Sequence, residues 1–181
     1  MSKPRIKSIG ILGGSFDPPH KGHLEISKIA IKKVKLNKLY WVVAKKNPFK
    51  KKTFFSVEKR LSKVKKIVKN FKNIEVLYLD SILNSSRSIN TIKYLIKSKK
   101  PKNLYFIIGS DILVELHKWK SWKKIVKLVK LVVFSRKGYD RKSKETIVVK
   151  YLNKKNITFV KNKPISVSST ILRKKIIKNI R

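Results

Sequence analysis

The stretch Ser8-Ile9-Gly10-Ile11-Leu12-Gly13-Gly14-Ser15-Phe16-Asp17-Pro18-Pro19-His20-Lys21-Gly22-His23 decides how the rest of this chain is read. Residues 8–13 are apolar and isoleucine-rich, the pattern of a short buried strand. Beyond them, Leu24, Ile26, Ile29, Ala30 and Val34 recur at helical spacing among lysines, so residues 22–34 read as an amphipathic helix. Two glycines at a strand end let the backbone turn tightly and bring bare N–H groups close to a ligand. The helix that follows aims its N-terminal amides and positive dipole end into the same space. His20 and His23 lie three positions apart and share one face of the first turn, with no side chain at Gly22 between them. Amides, two imidazoles and a helix terminus converging on one point suit a polyphosphate anion.

Moving outward, the same alternation repeats. Apolar, β-branched runs at 38–44, 74–79, 104–109, 131–135 and 157–160 read as strands. Amphipathic stretches at 56–69, 89–97, 112–116, 122–128 and 169–180 read as helices, with a weaker helical stretch at 145–152. Ser56 is placed as the N-cap of the second helix. This alternation predicts an α/β fold: a Rossmann-like, doubly wound, mostly parallel sheet of about six strands in three α/β/α layers. With 181 residues, no internal repeat and no linker, residues 1–181 are expected to form one domain. Ligands of such sheets sit beyond the carboxyl ends of the strands, at a topological switch point.

Composition narrows the chemistry. The chain has no cysteine, which removes disulfides, thiolate catalysis and cysteine-ligated zinc. No acidic cluster accompanies the histidines, which argues against a dedicated zinc site. Lys and Arg number 48 against 9 Asp and Glu, a formal charge of +39. That excess suggests a nucleic-acid binder, but the lysines are spread through every segment, with no basic tail, so nucleic acid is expected only as a nonspecific partner. The N-terminal residues run straight into a strand without the apolar stretch of a signal peptide, and no run approaches a bilayer span, which predicts a cytoplasmic protein.

Three further strings lie where the fold predicts ligand loops. Gly109-Ser110-Asp111 closes the fourth strand; its carboxylate suits a ribose hydroxyl or an amino group, or caps a helix. Trp119, eight positions on, offers a flat ring face or simple packing. Ser166-Val167-Ser168-Ser169-Thr170-Ile171-Leu172-Arg173 opens the last helix, where hydroxyls cap amides and Arg173 reaches back as a charged fork.

The opening string resembles the first motif of the HxGH nucleotidyltransferase superfamily and, more narrowly, the bacterial nicotinate-nucleotide adenylyltransferase family, where Gly-Gly-Ser-Phe-Asp-Pro-Pro-His-x-Gly-His is typical. The terminal string is similar to the second signature, Ser-Ser-Thr-x-x-Arg, which grips the β- and γ-phosphates. The resemblance implies transfer of AMP from ATP to nicotinate mononucleotide, giving nicotinate adenine dinucleotide and pyrophosphate. It implies His20, His23 and Arg173 as catalytic groups. Gly13, Gly14, Ser15, Phe16, Gly22, Gly109, Asp111, Ser168, Ser169 and Thr170 would form the ATP site. Asn47, Lys50, Ser88, Thr91, Trp119 and Lys120 would bind the mononucleotide, with Trp119 stacking on the pyridine ring. Mg²⁺ is expected as the cofactor, held mainly by ATP phosphates and water rather than by protein ligands. Phe49 departs from the family's Pro-Pro-His-Lys at Asn47-Pro48-Phe49-Lys50. Arg136-Lys137-Gly138-Tyr139 echoes Arg-x-Pro-Gly-Tyr and is read as structural. The nearest alternatives keep the fold and change the acceptor, to nicotinamide mononucleotide or phosphopantetheine.

Overall fold

The computed structural model describes residues 8–45, 52–162 and 168–179. Six strands, β1 (Ser8–Gly14), β2 (Lys38–Val43), β3 (Ile74–Leu77), β4 (Asn103–Gly109), β5 (Lys130–Phe134) and β6 (Ile157–Val160), form one all-parallel sheet in the order β3-β2-β1-β4-β5-β6. Helices α1 (Lys21–Lys33), α2 (Val57–Val68), α3 (Ser88–Lys99), α4 (Ser110–Glu115), α5 (Trp122–Leu128), α6 (Asp140–Lys144), α7 (Ile147–Tyr151) and α8 (Ser169–Lys178) accompany it, with a 3-10 turn at Leu116–Lys118. The expected Rossmann-like, three-layer α/β/α arrangement is the one observed. No helix among the described residues is long and apolar enough to cross a membrane.

Period-two alternation divides each strand between two cores. Ile9 and Ile11 of β1, Tyr40 and Val42 of β2, and Phe106 and Ile108 of β4 face a cluster completed by Ile92, Leu95, Leu113, Ile125 and Val148 from α3, α4, α5 and α7. Leu12, Leu39, Trp41, Val43 and Ile107 face the other cluster, with Ile26 and Ala30 of α1 and Val64 and Val68 of α2. Gly10 is required by close approach: a Cβ there would lie 2.6 Å from Leu36 Cδ1 and 2.8 Å from Leu39 Cδ1. Ser56 caps α2 as its sequence position predicts, accepting the Lys59 N–H at 3.3 Å.

Boundaries move at several places. The third strand stops at Leu77, the helix expected over 145–152 contracts to Ile147–Tyr151, and the one expected over 112–116 begins at Ser110, next to β4. Helix α6 has no apolar periodicity, only Asp-Arg-Lys-Ser-Lys, and went unpredicted for that reason. It forms because the Asp140 carboxylate is tied to the ends of β4 and β5, a tertiary cause.

The strand order places β1 beside β4, although residues 15–102 separate them in the chain. From β1 the sheet grows one way through β2 and β3, and from β4 the other way through β5 and β6. The carboxyl ends of β1 and β4 therefore meet at the switch point, where ligands of such sheets sit, and they carry Gly13-Gly14-Ser15 and Gly109-Ser110-Asp111.

Candidate active site

The loop after β1 is built from below. Phe16 adopts a left-handed backbone (φ 47°), uncommon for a residue with a side chain. Its ring, 2 % exposed, stacks on Trp41 at 5.0 Å between centroids and 8° between planes, and lies 4.9 Å from the His23 ring. Phe16 was expected at the ATP site; its ring belongs to the core, so only its backbone remains for a ligand. Trp41 Nε1 donates to Ser27 Oγ (2.8 Å), and Ser27 donates to the His23 carbonyl (2.7 Å), which fastens the first turn of α1 to β2.

The two histidines share the helix entrance. His20 is the N-cap of α1, and its backbone N–H donates to His23 Nδ1 at 3.2 Å. Their rings lie 3.8 Å apart between centroids. With Nδ1 accepting, the neutral His23 ring carries its hydrogen on Nε2. Burial lowers the His20 pKa to about 4, helped by the Arg136 cation. Burial also lowers that of His23 to about 3, with His20 and Arg136 adding to the shift. Both are neutral donors at physiological pH. His20 Nδ1 is buried with no hydrogen-bond partner among the described residues, an orphan polar atom that a ligand would satisfy.

The start of α8 closes on the same loop. Arg173 Nη1 donates to the Asp17 carbonyl (2.5 Å) and Nη2 to Thr170 Oγ1 (3.0 Å). Ser169 donates to the Pro18 carbonyl at 2.9 Å. Ser168 occupies the N-cap, accepting the Ile171 N–H at 3.2 Å. Arg173 keeps three of its five N–H groups for a ligand. The histidine pair and the guanidinium are thus joined across Asp17-Pro18, as the two motifs require.

On the β4 side, Gly109 is the N-cap of α4 and Asp111 stands inside its first turn, so Asp111 is not the cap. A Cβ on Gly109 would lie 2.2 Å from Asp111 Oδ1. That oxygen is buried without a hydrogen bond among the described residues, and Arg136 Nε lies 4.0 Å away. Trp119 is half-buried, edge-on to Phe106 at 6.2 Å between centroids, and Lys120 beside it is exposed. Ser88 opens α3 and Thr91 is buried in its first turn; Arg87 is the N-cap. Gly13 and Ser15 are accessible at the end of β1, and Gly22 is buried in the first turn of α1. Asn47 and Lys50 lie outside the described residues.

Three site-forming groups escaped sequence reading. Arg136, read as structural, carries its side chain to Asp111 and its charge to both imidazoles. Asp140 accepts from Ser110 Oγ and the Arg136 N–H, each at 3.0 Å, and from Ser135 Oγ. Those bonds hold its carboxyl below the usual carboxylate range. Arg60 is fully buried and, among the described residues, bonds to backbone carbonyls alone. A lysine-rich chain hides such arginines, because their partners are distant in sequence. Among the described residues no three His, Cys, Asp or Glu side chains gather to hold a metal ion.

The switch point of a 3-2-1-4-5-6 parallel sheet, with a neutral imidazole pair at a helix entrance, defines a nucleotidyltransferase-like site. The family model described as Cytidylyltransferase-like matches residues 11–175. A protein of Pelagibacter ubique named "Probable nicotinate-nucleotide adenylyltransferase" is 43 % identical over 166 residues, covering 92 % of each chain. A Clostridium acetobutylicum protein of the same name is 35 % identical over 182 residues, covering 96 % of this chain and 89 % of its own. Within the cytidylyltransferase-like proteins, the chain belongs to the nicotinate-nucleotide adenylyltransferase family. The fold also matches Plasmodium falciparum nicotinic acid mononucleotide adenylyltransferase complexed with NaAD, with TM-score 0.75 and 20 % identity, covering 93 % of this chain and 83 % of that one.

Proposed function

We propose that this protein transfers the AMP part of ATP to nicotinate mononucleotide, releasing pyrophosphate and forming nicotinate adenine dinucleotide in NAD biosynthesis. The observation that carries this reading is the junction of the His20–His23 pair with Arg173 through Asp17 and Pro18. The whole chain would act as one domain, in the cytoplasm.

A phosphate oxygen of the mononucleotide attacks the α-phosphorus of ATP. The bond from that phosphorus to the α,β-bridging oxygen breaks, and the electron pair leaves on pyrophosphate. No protein nucleophile is required; the chain aligns two anions and stabilises charge moving toward the leaving group. The α1 amides and His23 Nε2–H face the reacting phosphates, the orphan His20 Nδ1 meets them from the cap, and Arg173 holds the departing pyrophosphate. Ser168, Ser169 and Thr170 set the start of α8. Gly13, Gly14 and Ser15 admit the polyphosphate, Asp111 takes the nucleoside, and Trp119 with Lys120, Ser88 and Thr91 receives the mononucleotide. Mg²⁺ bound with ATP would be held mainly by the phosphates and water and would offset phosphate charge.

Purified protein given Mg-ATP and a panel of acceptors, with pyrophosphate followed, tests the reading. Nicotinate mononucleotide should be the best acceptor. A better rate with nicotinamide mononucleotide or phosphopantetheine changes the acceptor, and no pyrophosphate with any of them refutes the reading.

A further inference from the structure

Arg60 presents a buried cation with no carboxylate bonded to it among the described residues. It is 0 % exposed on α2. Its Nη1 donates to the carbonyls of Ser15 (2.6 Å) and Ala44 (2.7 Å), Nη2 to that of Lys45 (2.8 Å), and Nε to that of Phe55 (3.2 Å). These carbonyls belong to the phosphate loop after β1, the chain leaving β2, and the approach to α2. Two buried aspartates hold N–H groups of the same segments, Asp80 on the Ala44–Lys45 peptide that Arg60 also grips and Asp17 on the two peptides just before the Phe55 carbonyl. Asp80 accepts the Lys45 N–H at 2.6 Å, and Asp17 accepts those of Phe54 and Phe55 at 2.6 and 2.9 Å. Arg60, Asp17 and Asp80 thus balance charge through backbone amides rather than by direct pairing. Desolvating a guanidinium is costly, and a well-packed apolar residue would supply bulk without that cost. What the guanidinium alone supplies is a rigid fork that holds three chain segments at set spacing.

We propose that Arg60 is a positioning residue that holds the phosphate loop at Ser15 in fixed alignment with the ends of the β2–α2 connection at Ala44–Lys45 and Phe55, so that the two substrates meet in line. The proposal rests on the adenylyl-transfer reading. Ser15 adjoins the polyphosphate loop, and Ala44 and Lys45 follow β2 on the half of the sheet away from Asp111. Each substrate has its own contacts elsewhere, so loss of Arg60 would leave separate binding largely intact and spoil the alignment of the attacking oxygen with the α-phosphorus. Misplacement by about 1 Å costs on the order of 10²-fold in rate.

The test compares wild type, Arg60→Met and Arg60→Lys in steady-state turnover of Mg-ATP with nicotinate mononucleotide, alongside ATP-binding stoichiometry by calorimetry and thermal melting. The expected Arg60→Met result is full ATP stoichiometry, an ATP Kd within about 3-fold of wild type, and kcat down by roughly 10- to 100-fold. Arg60→Lys keeps the buried charge without the fork and should recover part of that loss. Unchanged kcat in both variants overturns the proposal, as does activity lost only in proportion to lost ATP-binding sites. If Arg60→Met does not fold, Arg60→Lys alone decides, with kcat reduced at full stoichiometry expected. If neither folds, Arg60 serves folding and the proposal is overturned. Absence of turnover in wild type is a different failure, that of the reaction itself.

Discussion

The backbone N–H of His20 donates to Nδ1 of His23 at 3.2 Å, and this bond selects which nitrogen of His23 carries its hydrogen. A neutral ring with Nδ1 occupied as acceptor carries its hydrogen on Nε2, as a donor. Nitrogen-15 spectra of the imidazoles at pH 7 should show His23 as this tautomer. An imidazolium signal there would contradict the assignment.

The same two rings make stability depend on pH. Both folded pKa values lie below the ordinary 6.5, at about 4 for His20 and about 3 for His23. Between roughly pH 6.5 and pH 4 the unfolded chain binds protons that the folded chain refuses, so stability falls as the solution is acidified through that window and is complete above it. Tm measured from pH 7.5 to 4.5 should drop, and the drop should be smaller in a His20→Asn, His23→Asn double variant.

Removing one oriented donor from a transfer site costs about 10²–10³ in kcat. His20→Ala should lose at least the lower figure with the ATP Kd little changed. Arg173→Lys, which replaces a fork by a point charge, should lose roughly 10-fold or more in kcat/KM for ATP. Wild-type kinetics in either variant would remove that residue from the mechanism.

Gly109 has no room for a methyl group, because its Cβ would stand 2.2 Å from Asp111 Oδ1. Gly109→Ala must displace that short carboxylate. A hydrogen bond to a charged group is worth about 1.5–3 kcal/mol, so KM for ATP should rise by roughly 10-fold or more while the acceptor KM stays nearly constant. An unchanged ATP KM would exclude Asp111 from the nucleoside site.

Trp119 offers the reverse test. Stacking on an aromatic side chain contributes about 1–3 kcal/mol per base, and a pyridinium ring is a comparable partner. Trp119→Ala should raise the acceptor KM by roughly 5- to 100-fold, Trp119→Phe by less, with ATP affinity preserved in both. Equal damage to both substrates would reduce Trp119 to packing against Phe106.

What could be read from the residues alone was local. Short continuous apolar, β-branched runs located all six strands and apolar stripes at helical spacing located most helices, because both signals lie within a few residues of one another. The opening string announced a phosphate loop for the same reason: its glycines, histidines and helix start are neighbours in the chain. Tertiary structure decided the rest. Only the sheet order brings β1 beside β4 and so sets their two loops next to each other at the switch point. Only chain packing carries Arg60 to Ser15, Arg136 to Asp111, and Ser169 to Pro18. Those contacts join residues separated by 25 to 151 positions, and hydrogen-bond partners so far apart leave no periodic trace along a chain in which lysine and arginine are everywhere.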